Sequence, residues 1–299
     1  MKLIFWNCSR TGNLGDDLCH LGAVAKCRQM FGEFEIEKIF KLNDHTIDAV
    51  RSADLLVIGG GRILHKGSDF LSKLISYDVK TPYIFMGVGI AAFSDIEPFN
   101  GKIHPQGWIV RNKKSAEMLD RCGFEGIKVE PDLSALVDIK FKEKDQRTIG
   151  ALNLKADGKP HDFLSELKGM LSKDLTLVSF NTTGRHKAVV DGELCDVSDC
   201  DDTGMMAWIQ DGQDLIGYRG GWDDPVVWAS QLGRFHWMVC ERLHACILAH
   251  RLGIPFFAVN SNEKIERFMI ENDMEHRLVE NSAKSIIRAV LMKGGFHYA

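Results

Sequence analysis

Arg242 and His244 stand two residues apart inside "CERLHACILAHRLGIPFFAVN" (240–260), a stretch that is otherwise apolar enough to be buried. Arginine is a permanent cation whose planar fork matches phosphate or carboxylate, and histidine carries a proton that moves near neutral pH. The preceding "WMVCE" has the pattern of a buried strand. "ACILAHRLG" has that of a helix stopped by Gly253 and Pro255. "RLH" then falls at a helix N-terminus, where unpaired N–H groups and the helix dipole favour an anion. The bland alternative is a cap and a satisfied core histidine.

Five further groups sit at or just after the ends of predicted strands. "NLGDD" (13–17) follows the first; Asn13, Gly15 and Asp16 line a cleft floor there, or Asp16 simply caps the next helix. Gly59, Gly60 and Gly61 end "DLLVIGGG", and Gly87 and Gly89 lie in "MGVGI". Such glycines let backbone amides approach a ligand or let a strand pack closely against a helix. They form neither a P-loop nor a GxGxxG fingerprint. Arg111 closes "WIVR", where it is either solvated or ligand-binding. Asp132 closes "EPD" and, with Asp16, is a candidate base or a structural cap.

The elements that must position these residues alternate along the chain. Strand patterns at 2–7, "FEIEKIFK", "DLLVIGGG", "YIFMGVG", "WIVR" and "IKVEP" are separated by helical patterns beginning near Asp16, Thr46, Ser68 and Lys113. After the hydrophilic stretch 140–148 the alternation restarts with "TIGALNL", a helix near 162–172, "LTLVSF", "DLIGYRG", a helix from Asp223, "WMVCE", a helix from His244 and "PFFAVN". A final helix is expected over 282–293. Residues 181–214 show little periodicity and read as loops or an irregular insertion. The expected fold class is α/β, with two Rossmann-like, doubly wound domains over 1–143 and 144–299 flanking a central cleft. Gly59 to Gly61, Arg111 and Arg242 should all face that cleft, because ligands bind at the carboxyl ends of the strands.

A length of 299 residues suits two domains of about 150 residues. A net charge of -4, with no Lys/Arg block, argues against a nucleic-acid partner. The eight cysteines include no CxxC pair and no zinc spacing, so they read as reduced thiols and no metal is expected. No apolar run is long enough to span a bilayer, which places the protein in the cytoplasm with at most peripheral contact with a membrane.

In their order and spacing, "NLGDD", "DLLVIGGG", "MGVGI", "VRNKKSAEMLDRCGF" (110–124), "EPD" (130–132) and "ERLHACILAHRLGIPFFAVNSNEKIERF" (241–268) resemble the polysaccharide pyruvyl transferase family. That resemblance implies a GT-B-like fold, phosphoenolpyruvate as donor substrate with no further cofactor, and a glycan or lipid-linked saccharide as acceptor. It also implies a donor site that falls here on Arg111, Arg242, Leu243, His244 and Lys264. A pyruvate ketal on a surface polysaccharide or exopolysaccharide would be the product, with His244 as the acid. Two alternatives belong to other classes. One is a GT-B glycosyltransferase using a nucleotide sugar, for which Glu263 and Glu271 have a suggestive spacing that is also commonplace in a charged helix. The other is an inactive glycan-binding relative.

Overall fold

A computed structural model describes residues 1–7, 13–39, 42–64, 70–90, 92–140, 150–155, 164–168, 170, 171, 173, 175–180, 188–190, 193–195, 202–219 and 223–292. The chain forms two compact units, one of Met1–Arg10 and Asp16–Val137, the other of Thr11–Gly15 and Asp138–Ala299. The expected junction at 143/144 lies outside the described residues. The assignment of Thr11–Gly15 to the second unit is invisible in the sequence, since those residues follow the first unit's opening strand.

In the first unit, strands and helices alternate: β1 (Lys2–Asn7), α1 (Leu14–Phe31), β2 (Glu35–Ile39), α2 (Ile47–Arg51), β3 (Leu55–Leu64), α3 (Phe70–Ser76), β4 (Tyr83–Ile90), β5 (Gly107–Val110), α4 (Lys113–Arg121) and β6 (Ile127–Val129). The six strands make one parallel sheet in the order β2-β1-β3-β4-β5-β6. Both faces are buried, as a parallel sheet requires. Leu3 and Phe5 of β1 pack with Cys19, Ala23 and Cys27 of α1. Ile4 and Trp6 share the opposite core with Ile47, Val50, Leu71, Leu74 and Leu119. The strand order reverses between β1 and β3, where Asn7 pairs with Gly59.

The second unit continues with β7 (Gly150–Asn153), α5 (Leu164–Leu167), β8 (Leu175–Ser179), β9 (Ala188–Val190), β10 (Glu193–Cys195), α6 (Asp202–Ile209), β11 (Asp214–Gly217), α7 (Pro225–Ser230), β12 (Trp237–Cys240), α8 (Leu243–Arg251), β13 (Phe256–Asn260), α9 (Glu263–Glu271), β14 (Leu278–Glu280) and α10 (Ala283–Leu291). Its parallel sheet has the order β11-β8-β7-β12-β13-β14. This is the doubly wound Rossmann arrangement, with its switch point between β7 and β12. Asn153 and Cys240 pair there. The α/β, doubly wound expectation is met in each unit.

One expectation is corrected. Residues 181–214 are not all loop: β9 and β10 form an antiparallel ribbon, and α6 buries Met205, Met206 and Ile209. The few apolar residues of "GMMAWI" make too short a run for periodicity to register, yet they suffice to seat two turns of helix against the core. Among the described residues, no helix is long and apolar enough to cross a membrane.

Candidate active site

In the second unit the site grows from the switch point. β12 is buried along its whole length, and the chain leaves it through Glu241 and Arg242 before α8 starts at Leu243. Three hydrogen bonds tie this turn to the end of β7 and the residues just after it. Glu241 N donates to the Asn153 carbonyl at 2.8 Å, Arg242 N to Asn153 Oδ1 at 3.1 Å, and Lys155 N to Glu241 Oε2 at 2.9 Å. Asn153 Nδ2 in turn donates to the Val178 carbonyl at 2.9 Å. Asn153 and Glu241 are fully buried, so this polar turn is held in low dielectric, where satisfied hydrogen bonds fix geometry firmly.

Arg242 occupies the N-cap position of α8 with extended backbone and no side-chain cap bond. Its guanidinium turns to Asp202 instead. Nε donates to Asp202 Oδ2 at 2.7 Å, and Nη2 donates to Oδ1. Asp202 is fully buried at the first position of α6, where the helix dipole favours a carboxylate. Arg242 thus presents the Nε/Nη2 edge of its fork to a protein carboxylate.

His244, the second residue of α8, is half-buried beside Gly15. A β-carbon on Gly15 would overlap the imidazole Nδ1 and Cγ, so the ring rests directly on the glycine backbone. Gly15 is held in place by its neighbours: Gly15 N donates to Asn13 Oδ1 at 3.0 Å, and Leu14 N donates to the Phe180 carbonyl, just past β8, at 3.0 Å. The sequence-predicted Asn13, Gly15 and His244 therefore come together within the second unit. Leu243 opens α8, half-buried. Lys264 lies in the first turn of α9, one strand further along the sheet, its N–H capped by Asn262 Oδ1 at 3.1 Å. Glu263, half of the alternative glutamate pair, makes a helix-surface ion pair with Arg267 at 2.8 Å.

The first unit holds a second cluster. Arg111 follows β5 and donates through Nη1 to Asp132 Oδ2 at 3.4 Å; the two side chains are only 9% and 10% exposed. Asp132 Oδ1 accepts from Ser134 N at 3.1 Å, Ser134 Oγ at 2.8 Å and Cys19 Sγ at 3.3 Å. Burial, then the charges of Asp132 and Asp16 and the bond to Asp132, hold the Cys19 thiol well above its usual pKa, with Arg111 opposing. Cys19 is therefore a protonated donor. Asp132 serves as a cap for the turn at Leu133–Leu136 and as counter-ion to Arg111. Asp16, the other candidate base, sits half-buried in the first turn of α1.

Gly59, Gly87 and Gly89 are close-packing positions. A β-carbon on Gly59 would overlap the Met86 carbonyl, one on Gly87 would overlap Leu133, and one on Gly89 would lie 2.7 Å from Arg111 Nε. Gly60 and Gly87 also have φ of 87° and 67°, which side-chain-bearing residues rarely adopt. Gly61 pairs with Val88. Of the residues missed by sequence reasoning, Asn153 had a signal, a polar residue at the end of an apolar strand. Glu241 had one too, and Cys19 and Asp202 had none.

The protein-family model described as polysaccharide pyruvyl transferase matches residues 13–263. No curated protein matches the chain in sequence. Among solved structures, an uncharacterised Klebsiella pneumoniae protein is similar at TM-score 0.55 and 15% identity, covering 92% of this chain and 91% of that one. The Staphylococcus aureus MnaA–UDP structure is similar at TM-score 0.60 and 12% identity, over 97% and 87% of the two chains. The Neisseria meningitidis UDP-GlcNAc 2-epimerase, bound to UDP-GlcNAc, is similar at 0.58 and 9%, over 99% and 92%. At these identities the likeness concerns the fold, which is GT-B-like.

Proposed function

Since this chain belongs to the polysaccharide pyruvyl transferase family, we propose that it transfers a pyruvyl group from phosphoenolpyruvate to hydroxyls of a sugar in a surface polysaccharide or exopolysaccharide, closing a pyruvate ketal. The observation that carries this reading is the placement of Arg242 and His244. They stand where β12 gives way to α8, at the switch point of a Rossmann-like sheet, which is the ligand position of that fold.

In this reaction a proton adds to the methylene carbon of phosphoenolpyruvate and leaves C2 as an oxocarbenium ion. One sugar hydroxyl attacks C2 and releases its proton. The C2–O bond to phosphate then breaks, and a second hydroxyl closes the ketal; of the two protons lost by the hydroxyls, one replaces the proton given to the methyl group and the other leaves on the phosphate. His244 is the acid, seated firmly on Gly15. Arg242 and Lys264 carry positive charge for the donor. Arg111 contributes a guanidinium that, among the described residues, has only the long Asp132 contact. Asp132, already accepting four hydrogen bonds, orients Arg111, which leaves Asp16 as base for the acceptor hydroxyl.

The test is a ligand-shift measurement with phosphoenolpyruvate, with UDP as comparison, followed by phosphate release with a panel of glycosides. A ligand at a hundred times its Kd raises stability by about 2.7 kcal/mol. Stabilisation by phosphoenolpyruvate and acceptor-dependent phosphate release are expected. Stabilisation by UDP alone would point to the nucleotide-sugar reading and overturn this one.

A further inference from the structure

The segment over 181–214 has no counterpart among the motifs that suggest the family, yet it delivers the residue that grips Arg242. We infer that Asp202 is a positioning residue of the donor site: it sets the plane and reach of the Arg242 guanidinium, and through it the affinity for the anionic donor. This rests on the proposed function, and adds a residue that the recognised motifs do not contain.

Three observations carry it. The contact is two-point, Nε to Oδ2 at 2.7 Å and Nη2 to Oδ1, and such side-on pairing removes the rotational freedom that a single contact would leave. Asp202 is fully buried, whereas the Arg242 side chain keeps 16% of its exposure; the carboxylate is anchored and the guanidinium reaches outward from it. The backbone of Arg242 is independently clamped by Asn153 Oδ1 at 3.1 Å. With backbone and fork both fixed, the guanidinium is preorganised, and binding an anion costs little further ordering. An ion pair serving stability alone would need neither the second clamp nor the partial exposure.

D202N keeps the shape of the side chain and one acceptor while removing the charge. Because removing the charge of a buried carboxylate paired to an arginine can compromise folding, the set also includes R242M and the doubly neutral D202N/R242M. Two readouts are used. The first, independent of any donor, is the Arg242 Nε–H resonance, identified by its absence in R242M; D202N should shift it and speed its exchange with solvent. The second is kinetic: D202N should raise KM for phosphoenolpyruvate about tenfold or more with a smaller change in kcat, and D202N/R242M should be no worse than R242M alone.

An unchanged Nε–H signal in D202N, wild-type KM in D202N, or a double variant whose losses add would each overturn the inference. A wild-type protein inert toward phosphoenolpyruvate overturns the donor reading and, with it, the donor half of this inference. That result is distinguishable from failure of the inference alone, in which the wild type turns over and D202N matches it.

Discussion

The imidazole of His244 occupies the space that a β-carbon on Gly15 would need. A single methyl group at position 15 must therefore move the ring or the start of α1. Gly15→Ala should favour the helix by up to about 1 kcal/mol on propensity while displacing the proposed acid. Misplacement by about 1 Å can cost on the order of 10²-fold in rate. We expect kcat to fall by about that factor with little loss of melting temperature. Wild-type kcat in Gly15→Ala would show that the ring position is immaterial.

His244→Gln preserves size and a hydrogen-bond donor but not a titratable proton. Turnover should drop by ~10²–10⁴, the usual contribution of a general acid, while the thermal shift caused by phosphoenolpyruvate persists. Loss of that shift with unchanged turnover per bound donor would reassign His244 to binding.

Gly89→Ala places a β-carbon 2.7 Å from Arg111 Nε and should push the guanidinium off its Asp132 contact. Arg111→Ala removes the group altogether, with an expected affinity loss of ~1.5–3 kcal/mol, roughly ten- to a hundredfold. If Arg111 binds the donor, both variants raise KM for phosphoenolpyruvate, Gly89→Ala by less. Unaltered donor affinity in both would leave Arg111 and Asp132 as a structural pair.

His20 predicts a pH dependence that has nothing to do with the site. Burial first, then the charge of Lys38, pushes its pKa down to about 4, and its ring meets Phe5 edge-on with centroids 5.4 Å apart. The unfolded imidazole titrates near 6.5, so between these values the unfolded chain binds more protons than the folded one. The sign is then fixed: stability is full above pH ~6.5, falls as pH drops, and has lost ~3 kcal/mol by pH ~4. His20→Phe should flatten that part of a pH-dependent denaturation series. An equally steep loss in the variant would place its origin elsewhere.

The sequence by itself determined the alternation of elements, because apolar runs such as "DLLVIGGG" and "WMVC" and the helix pattern after "RLH" depend on neighbours a few residues away. It also located Arg242 and His244 at the end of a strand, which in a parallel sheet is the ligand end. Only the tertiary structure decided what surrounds them. Asp202 lies in a stretch with no periodicity to mark it, and its pairing with Arg242 exists only once α6 has packed its apolar residues on the sheet. Gly15 looked like a turn glycine until the distant His244 was set against it. The triplet at Gly59 to Gly61 is open to two readings, ligand approach or close packing, and only the structure shows that a β-carbon on Gly59 would overlap the Met86 carbonyl of the adjacent strand. The division has a physical cause: periodicity records which face of an element is buried, but which side chain meets which across that buried space is set by packing between segments remote in the chain.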